Sequence, residues 1–223
     1  LFHDAVRDLH VEKLHVEKLH VENMGRGRGP DLYWPRFGGF RMAFTRAASA
    51  ADAASIAAID VETWRTTYAG MLSDETLLRL DPRRRADAWR RAIRREPGDT
   101  LVIEEADVVV GFGSCGAQRT ADLPFVGEVF TLYVEPDFQG RGHGRQLLTG
   151  LFERLLQRGL GSALVWVLRE NPSRFFYERL GGRLVATRWI EMGGRSSVAG
   201  TAYGWDDLCA VVRRRGQTTS RID

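Results

Sequence analysis

Gln139, Gly140, Arg141, Gly142, His143 and Gly144 carry the most explicit chemistry in the chain. Three glycines at alternate positions let the main chain turn tightly, so that consecutive N–H groups can converge on one oxyanion. The following segment places Leu147, Leu148, Leu151, Phe152, Leu155 and Leu156 at i, i+1, i+4, i+5, one face of a 3.6-residue helix. The loop therefore opens a helix, where unpaired N–H groups and the macrodipole favour negative charge. Phosphate suits such a site. Two common phosphate loops fail on spacing. A P-loop needs Lys and then Ser or Thr after its last glycine, whereas Gly144 is followed by Arg145 and Gln146. A dinucleotide fingerprint G-x-G-x-x-G needs glycine at 145 or 147, which hold Arg145 and Leu147.

The remaining pattern, Q-x-x-G-x-G, resembles the pyrophosphate-binding motif of the GNAT superfamily of N-acyltransferases, which use acyl-coenzyme A. Gln139, Gly142 and Gly144 carry the match. An LYV strand (Leu132, Tyr133, Val134) ends five residues before the Gln, and Glu128 stands eleven before it. The downstream run VWVLRENPSRFFYERLGGRLV is similar to that superfamily's next strand and its Asn and Tyr helix. The resemblance implies an α/β fold over residues 42–210: a mixed, mostly antiparallel sheet with helices on both faces. It also implies an N-acetyltransferase that moves the acetyl group from acetyl-CoA to a primary amine by direct attack in a ternary complex, without a metal.

The resemblance also implies a role for each residue of the motif and its neighbours. Backbone N–H groups across 141–145 bind the pyrophosphate, with Arg141 and Arg145 adding charge-assisted contacts and the His143 side chain facing solvent. The main chain at Leu132, Tyr133 and Val134 pairs with the pantetheine arm, because this strand and the next, 163–168, splay apart. One N–H there polarises the thioester carbonyl. Glu128 matches a carboxylate that takes the ammonium proton through water. An ordinary glutamate is a weak base, so this role needs burial beside Phe130 and Leu132, on the same strand face, to make it more basic. A cross-strand salt bridge explains Glu128 equally well. Tyr177 matches the tyrosine that protonates the coenzyme A sulfur, its rival role being packing with Phe175 and Phe176. Asn171 bonds the pantetheine or simply caps its helix. Trp64 and Tyr68, at i and i+4 in the run WRTTYAG, resemble an acceptor-site wall of members that act on polyamines or other small amines; a core role fits them as well. The acceptor is a small-molecule amine or a protein amino group, and a homodimer is compatible with the family.

Two other classes compete. A non-catalytic acyl-CoA sensor would keep the loop and lose Glu128 or Tyr177, and both are present. A nucleic-acid binder would use the arginine run of residues 83–95, but no aromatic residues interleave those arginines, so they read as a solvated helix face. Net charge is only +3 over 223 residues, weak support for a nucleic-acid partner.

The elements around the loop follow from pattern. Hydrophobic content of 43% and charge of 27% suit a soluble, cytoplasmic globular chain, and no apolar run approaches the roughly 18 residues of a membrane span. Cys115 and Cys209 are too far apart for a C-x-x-C pair. Residues 1–41 differ from the rest: LHVEK, LHVEK and LHVEN repeat every five residues, and five helical steps advance about 140°, so no apolar face forms. Both lysines and four of the five histidines lie there; the histidines could form a metal-binding tract, but the prefix reads better as a disordered extension, with Met24 or Met42 as the true start. A first strand is expected at 43–46. A helix opens at Ser49 with Asp52 as a capping box, a second at Ser73, and a third after Asp81 and Pro82. Residues 100–105 and 108–117 form a hairpin across Ala106 and Asp107. Residues 128–134 and 163–168 are strands of a βαβ unit, Asn171 and Pro172 open a short helix, and 183–191 pairs with 198–205. Residues 211–223 read as a polar tail.

Overall fold

A computed structural model of the chain describes residues 43–67, 77, 78, 80–119, 122–191 and 197–218. The repeat-bearing prefix, Met42, Tyr68, most of the helix expected from Ser73 and the turn at Gly193 and Gly194 lie outside the described residues. Seven strands make one sheet: β1 (Phe44–Ala47), β2 (Thr100–Glu105), β3 (Val108–Ala117), β4 (Gly127–Val134), β5 (Ala163–Leu168), β6 (Arg183–Glu191) and β7 (Ser197–Trp205). Their order is β1-β2-β3-β4-β5-β7-β6. Only β4 and β5 are parallel; every other pair is antiparallel. This is the mixed α/β sheet that the sequence implies.

Helices cover both faces. On one, α1 (Ala53–Thr67) and α2 (Pro82–Arg95) bury Ile56, Ala57, Trp89 and Ile93 against Val102, Phe112 and Tyr133. On the other lies α3 (His143–Gln157), whose Leu147, Leu148, Leu151, Phe152 and Leu155 are all at most 1% exposed. Each of these side chains contributes about 1.5–3 kcal/mol by leaving water, which fixes the helix across the β4–β5 crossover. Gly113 lets it approach closely, since a Cβ there would sit 2.7 Å from Leu151 Cδ1. Strand β5 is apolar throughout because it is buried twice over: Val165 and Val167 face α3, while Leu164, Trp166 and Leu168 face α1.

Local signals explain the ends. Ser49 forms the expected capping box, its N–H donating to Asp52 at 2.6 Å and its Oγ accepting from Ala51 N–H. Asp81 accepts from Arg83 N–H at 2.9 Å with Pro82 at the first helical position. Ala106 and Asp107 both have positive φ, 55° and 63°, the geometry of a tight two-residue hairpin. One arginine of α2 departs from the solvated face: Arg85 is 9% exposed, its Nε 3.4 Å from the buried Asp60 carboxylate.

The chain's last segment differs from the expected polar tail. Helix α5 (Leu208–Thr218) runs through it, with Leu208, Val211 and Val212 packed against the core beneath α3. Spacing of i, i+3, i+4 supplies the apolar stripe, and Asp207 accepts from Ala210 N–H at its start.

Candidate active site

Strands β4 and β5 run paired for only three residues, Gly127, Glu128 and Val129 against Ala163, Leu164 and Val165. Just beyond, the register of β4 on β3 shifts: Ser114 faces Thr131 and Cys115 faces Val129, so Phe130 is an extra residue. Such a bulge bends its strand. Strand β5 meanwhile stays paired with β7 along its whole length. Residues 130–134, including the main chain of Leu132, Tyr133 and Val134, therefore have no ladder pairing to β5 and face a gap on that side. The splay implied by the sequence resemblance is present.

The loop follows the unpaired end of β4. A 3₁₀ turn (Pro136–Phe138) follows β4, and Gln139 Nε2 donates back to Val134 O at 3.0 Å. Gly140 and Gly142 take φ of 75° and 90°, and a Cβ at either would meet nothing within 4 Å. Gly142 is the N-cap of α3, and no side chain caps the helix. Its first-turn N–H groups, at Gly142 to Arg145, have no acceptor within the helix and front open space, the donor set a diphosphate fits. Arg145 makes no side-chain ion pair or hydrogen bond among the described residues.

Two loop side chains depart from expectation. His143, expected in solvent, is 5% exposed, with Nε2 2.8 Å from Glu105 Oε2. Arg141 donates from Nη1 to Glu105 Oε1 at 2.9 Å and from Nη2 to Asp137 O at 2.8 Å, so its charge is turned to the β2–β3 hairpin. Glu105 thus braces the loop from the end of β2. No sequence signal marks it, because it lies 38 residues from His143 and meets it only through the sheet.

Tyr177 lies on the short helix α4 (Arg174–Arg179) and is fully buried. It shares a cluster with Leu132 and Val134 on one side of the gap and Val165 and Val167 on the other. Its ring stacks on Tyr203, centroids 6.3 Å apart, and meets Trp205 edge-on. Asn171 accepts from Ser173 N–H at 3.0 Å, capping the turn before α4; the helix itself starts at Arg174 rather than Pro172, two residues later than expected. Phe175, expected as a packing partner for Tyr177, is 45% exposed, whereas Phe176 packs edge-on at 5.2 Å.

Glu128 is 2% exposed, and both of its oxygens are occupied by Arg119. Arg119 Nε and main-chain N–H donate to Oε2 at 3.0 and 3.1 Å, and Nη2 pairs with Oε1. The guanidinium also covers the Phe130 ring at 4.6 Å. Val129 and Leu132 lie together in the cluster under α3, so the bulge puts Glu128 and Leu132 on opposite faces. Glu128 is thus buried, as base character required, but beside the Arg119 guanidinium rather than on one face with Leu132, which is the arrangement of the salt-bridge alternative. Trp64 is 2% exposed within a cluster that includes Val61, Leu164 and Trp166, and Arg85 lies 5.4 Å over its ring. Burial pushes the neighbouring Tyr133 phenol well above its ordinary 10, so the side chain of Tyr133 is structural. Cys115 is buried and its thiol is pushed up to about 12, mainly by burial.

Comparison with known proteins agrees with this geometry. The model of the acetyltransferase (GNAT) family matches residues 59–182, from α1 to the end of α4. The chain belongs to the GNAT acetyltransferase family. It is an acyltransferase of that family by sequence as well as fold: it is 34% identical over 170 residues to the uncharacterized N-acetyltransferase YuaI of Bacillus subtilis, covering 76% of this chain and 96% of that one. It is 30% identical over 164 residues to the L-amino acid N-acyltransferase MnaT of Escherichia coli, covering 73% and 88%. The yncA structure from Salmonella typhimurium, solved with acetyl-CoA, superposes with a TM-score of 0.59 at 25% identity, covering 75% of this chain and 94% of that one. In this GNAT chain α5 lies outside the residues that the family model matches.

Proposed function

We propose that the chain transfers the acetyl group of acetyl-CoA to a primary amine by direct attack while both substrates are bound. The observation that carries this reading is the gap between β4 and β5, which ends at a glycine loop on the N-terminus of α3. When bound, acetyl-CoA supplies an acyl group activated as a thioester. Main-chain N–H groups at 142–145, with Arg145, hold the diphosphate. The free edge of residues 130–134 aligns the pantetheine arm by strand-like pairing, and one N–H there polarises the acyl carbonyl. Tyr177 holds a proton on its phenol oxygen beside the gap, to be passed to the sulfur as the C–S bond breaks and the C–N bond forms. Asn171 positions the turn that carries Tyr177. The amine loses its proton to solvent. Glu128 is assigned to the ion pair with Arg119 and to no proton-transfer step.

Direct attack is favoured because the thiol of Cys115 holds its proton far above neutral pH, and the thiolate is the nucleophilic form. The name of the E. coli relative puts amino acids among the amines to try first. The test is a set of initial rates with acetyl-CoA and an accepted amine, read as released thiol. Intersecting double-reciprocal lines are expected; parallel lines would establish a covalent acyl-enzyme and overturn the ternary complex.

A further inference from the structure

Glu105 ends strand β2, immediately before the two-residue turn of Ala106 and Asp107. Its side chain reaches across to the glycine loop and is only 13% exposed. Oε2 lies 2.8 Å from Nε2 of His143, the first residue of α3, and Oε1 accepts from Arg141 Nη1 at 2.9 Å. Arg141 extends the set of contacts, donating to Asp137 O at 2.8 Å and lying 4.9 Å over the Phe138 ring. One side chain of β2 thus holds both residues that flank Gly142, the N-cap of α3, with its φ of 90°.

On charge alone this arrangement works against an anion. It sets a carboxylate beside the turn assigned to the diphosphate, and it engages the Arg141 guanidinium that would otherwise attract the ligand. What it supplies is shape. Gly140 and Gly142 both have positive φ, and glycine loses more freedom than any other residue on being fixed, so a loop built on them needs outside contacts to hold one conformation. We propose that Glu105 is a positioning residue for the coenzyme: acting through His143 and Arg141, it sets the turn in its diphosphate-binding shape before the ligand arrives, so that binding does not carry the cost of ordering it. This rests on the acetyl-CoA reading above.

Glu105→Ala and Glu105→Gln remove the same charge, but only alanine removes the brace, because the glutamine amide keeps an acceptor for Arg141 and a donor for His143 in its other tautomer. The full chain and each variant are titrated with acetyl-CoA in a calorimeter, and initial rates are read as released thiol. Glu105→Ala is expected to bind about tenfold more weakly, the equivalent of one charge-assisted hydrogen bond, with KM raised and kcat within about twofold. Glu105→Gln is expected to stay within about threefold of the wild type. Adding His143→Ala to Glu105→Ala should weaken binding by no more than a further factor of about two, since both changes break one contact. Tighter or unchanged binding by Glu105→Ala, an equal change in the Ala and Gln variants, or losses that multiply in the double variant would each overturn the proposal while leaving the acetyl-CoA reading intact. A wild-type chain that binds no acetyl-CoA overturns both. Should Glu105→Ala fail to fold, His143→Ala alone carries the test: a loss of about threefold is expected, and undiminished affinity overturns the proposal.

Discussion

Gly142→Val is expected to weaken acetyl-CoA binding at least about 100-fold. Gly142 has φ of 90°, a region that a β-branched residue enters at a cost of about 1–3 kcal/mol. Valine would either hold that strain or pull the N-cap out of shape, and the N–H groups that follow would no longer converge. Each charge-assisted hydrogen bond that the diphosphate fails to make costs about 1.5–3 kcal/mol, so two suffice for the predicted loss. Protein atoms do not crowd the site, since nothing lies within 4 Å of a built Cβ; the valine side chain would enter the open space assigned above to the diphosphate. Calorimetry reports the affinity, and a melting temperature close to wild type shows that the loop rather than the fold has failed. A dissociation constant within about threefold of wild type would contradict the assignment of this turn.

Tyr177→Phe acts on turnover instead. Phenylalanine keeps the contacts with Tyr203 and Trp205 and removes only the hydroxyl, so packing and coenzyme affinity should change little. Turnover should fall about 100-fold, the lower end of what a positioned acid contributes, because a thiolate is a fair leaving group. Loss of kcat with KM for acetyl-CoA within about twofold marks an interaction made only as the C–S bond breaks. Unchanged turnover would reduce Tyr177 to a core residue.

Much of this site is legible in the sequence. The glycine spacing, the helix after it and the apolar run of β5 each rest on local periodicity, and the structure repeats them nearly residue for residue. The ends are legible for the same reason: Ser49 with Asp52, and Asp81 with Pro82, satisfy helix N–H groups within three residues. What escapes depends on distance or on parity. Glu105 reaches the loop through the sheet, and Arg119 reaches Glu128 across the β3–β4 connection. The bulge at Phe130 adds one residue, enough to put Leu132 on the opposite face from Glu128. Helix α5 escapes for a different reason. Its apolar stripe of Leu208, Val211 and Val212 is visible, but the arginines that follow read as solvated chain.

All of these roles depend on one grip, that of the turn before α3 on a diphosphate carried by a thioester. Titrating the wild-type chain with acetyl-CoA, coenzyme A and ATP in a calorimeter tests it most directly. Saturable heat at one site per chain with acetyl-CoA and with coenzyme A, and none with ATP, is the predicted result. Heat with ATP and none with either coenzyme would contradict the account at its base.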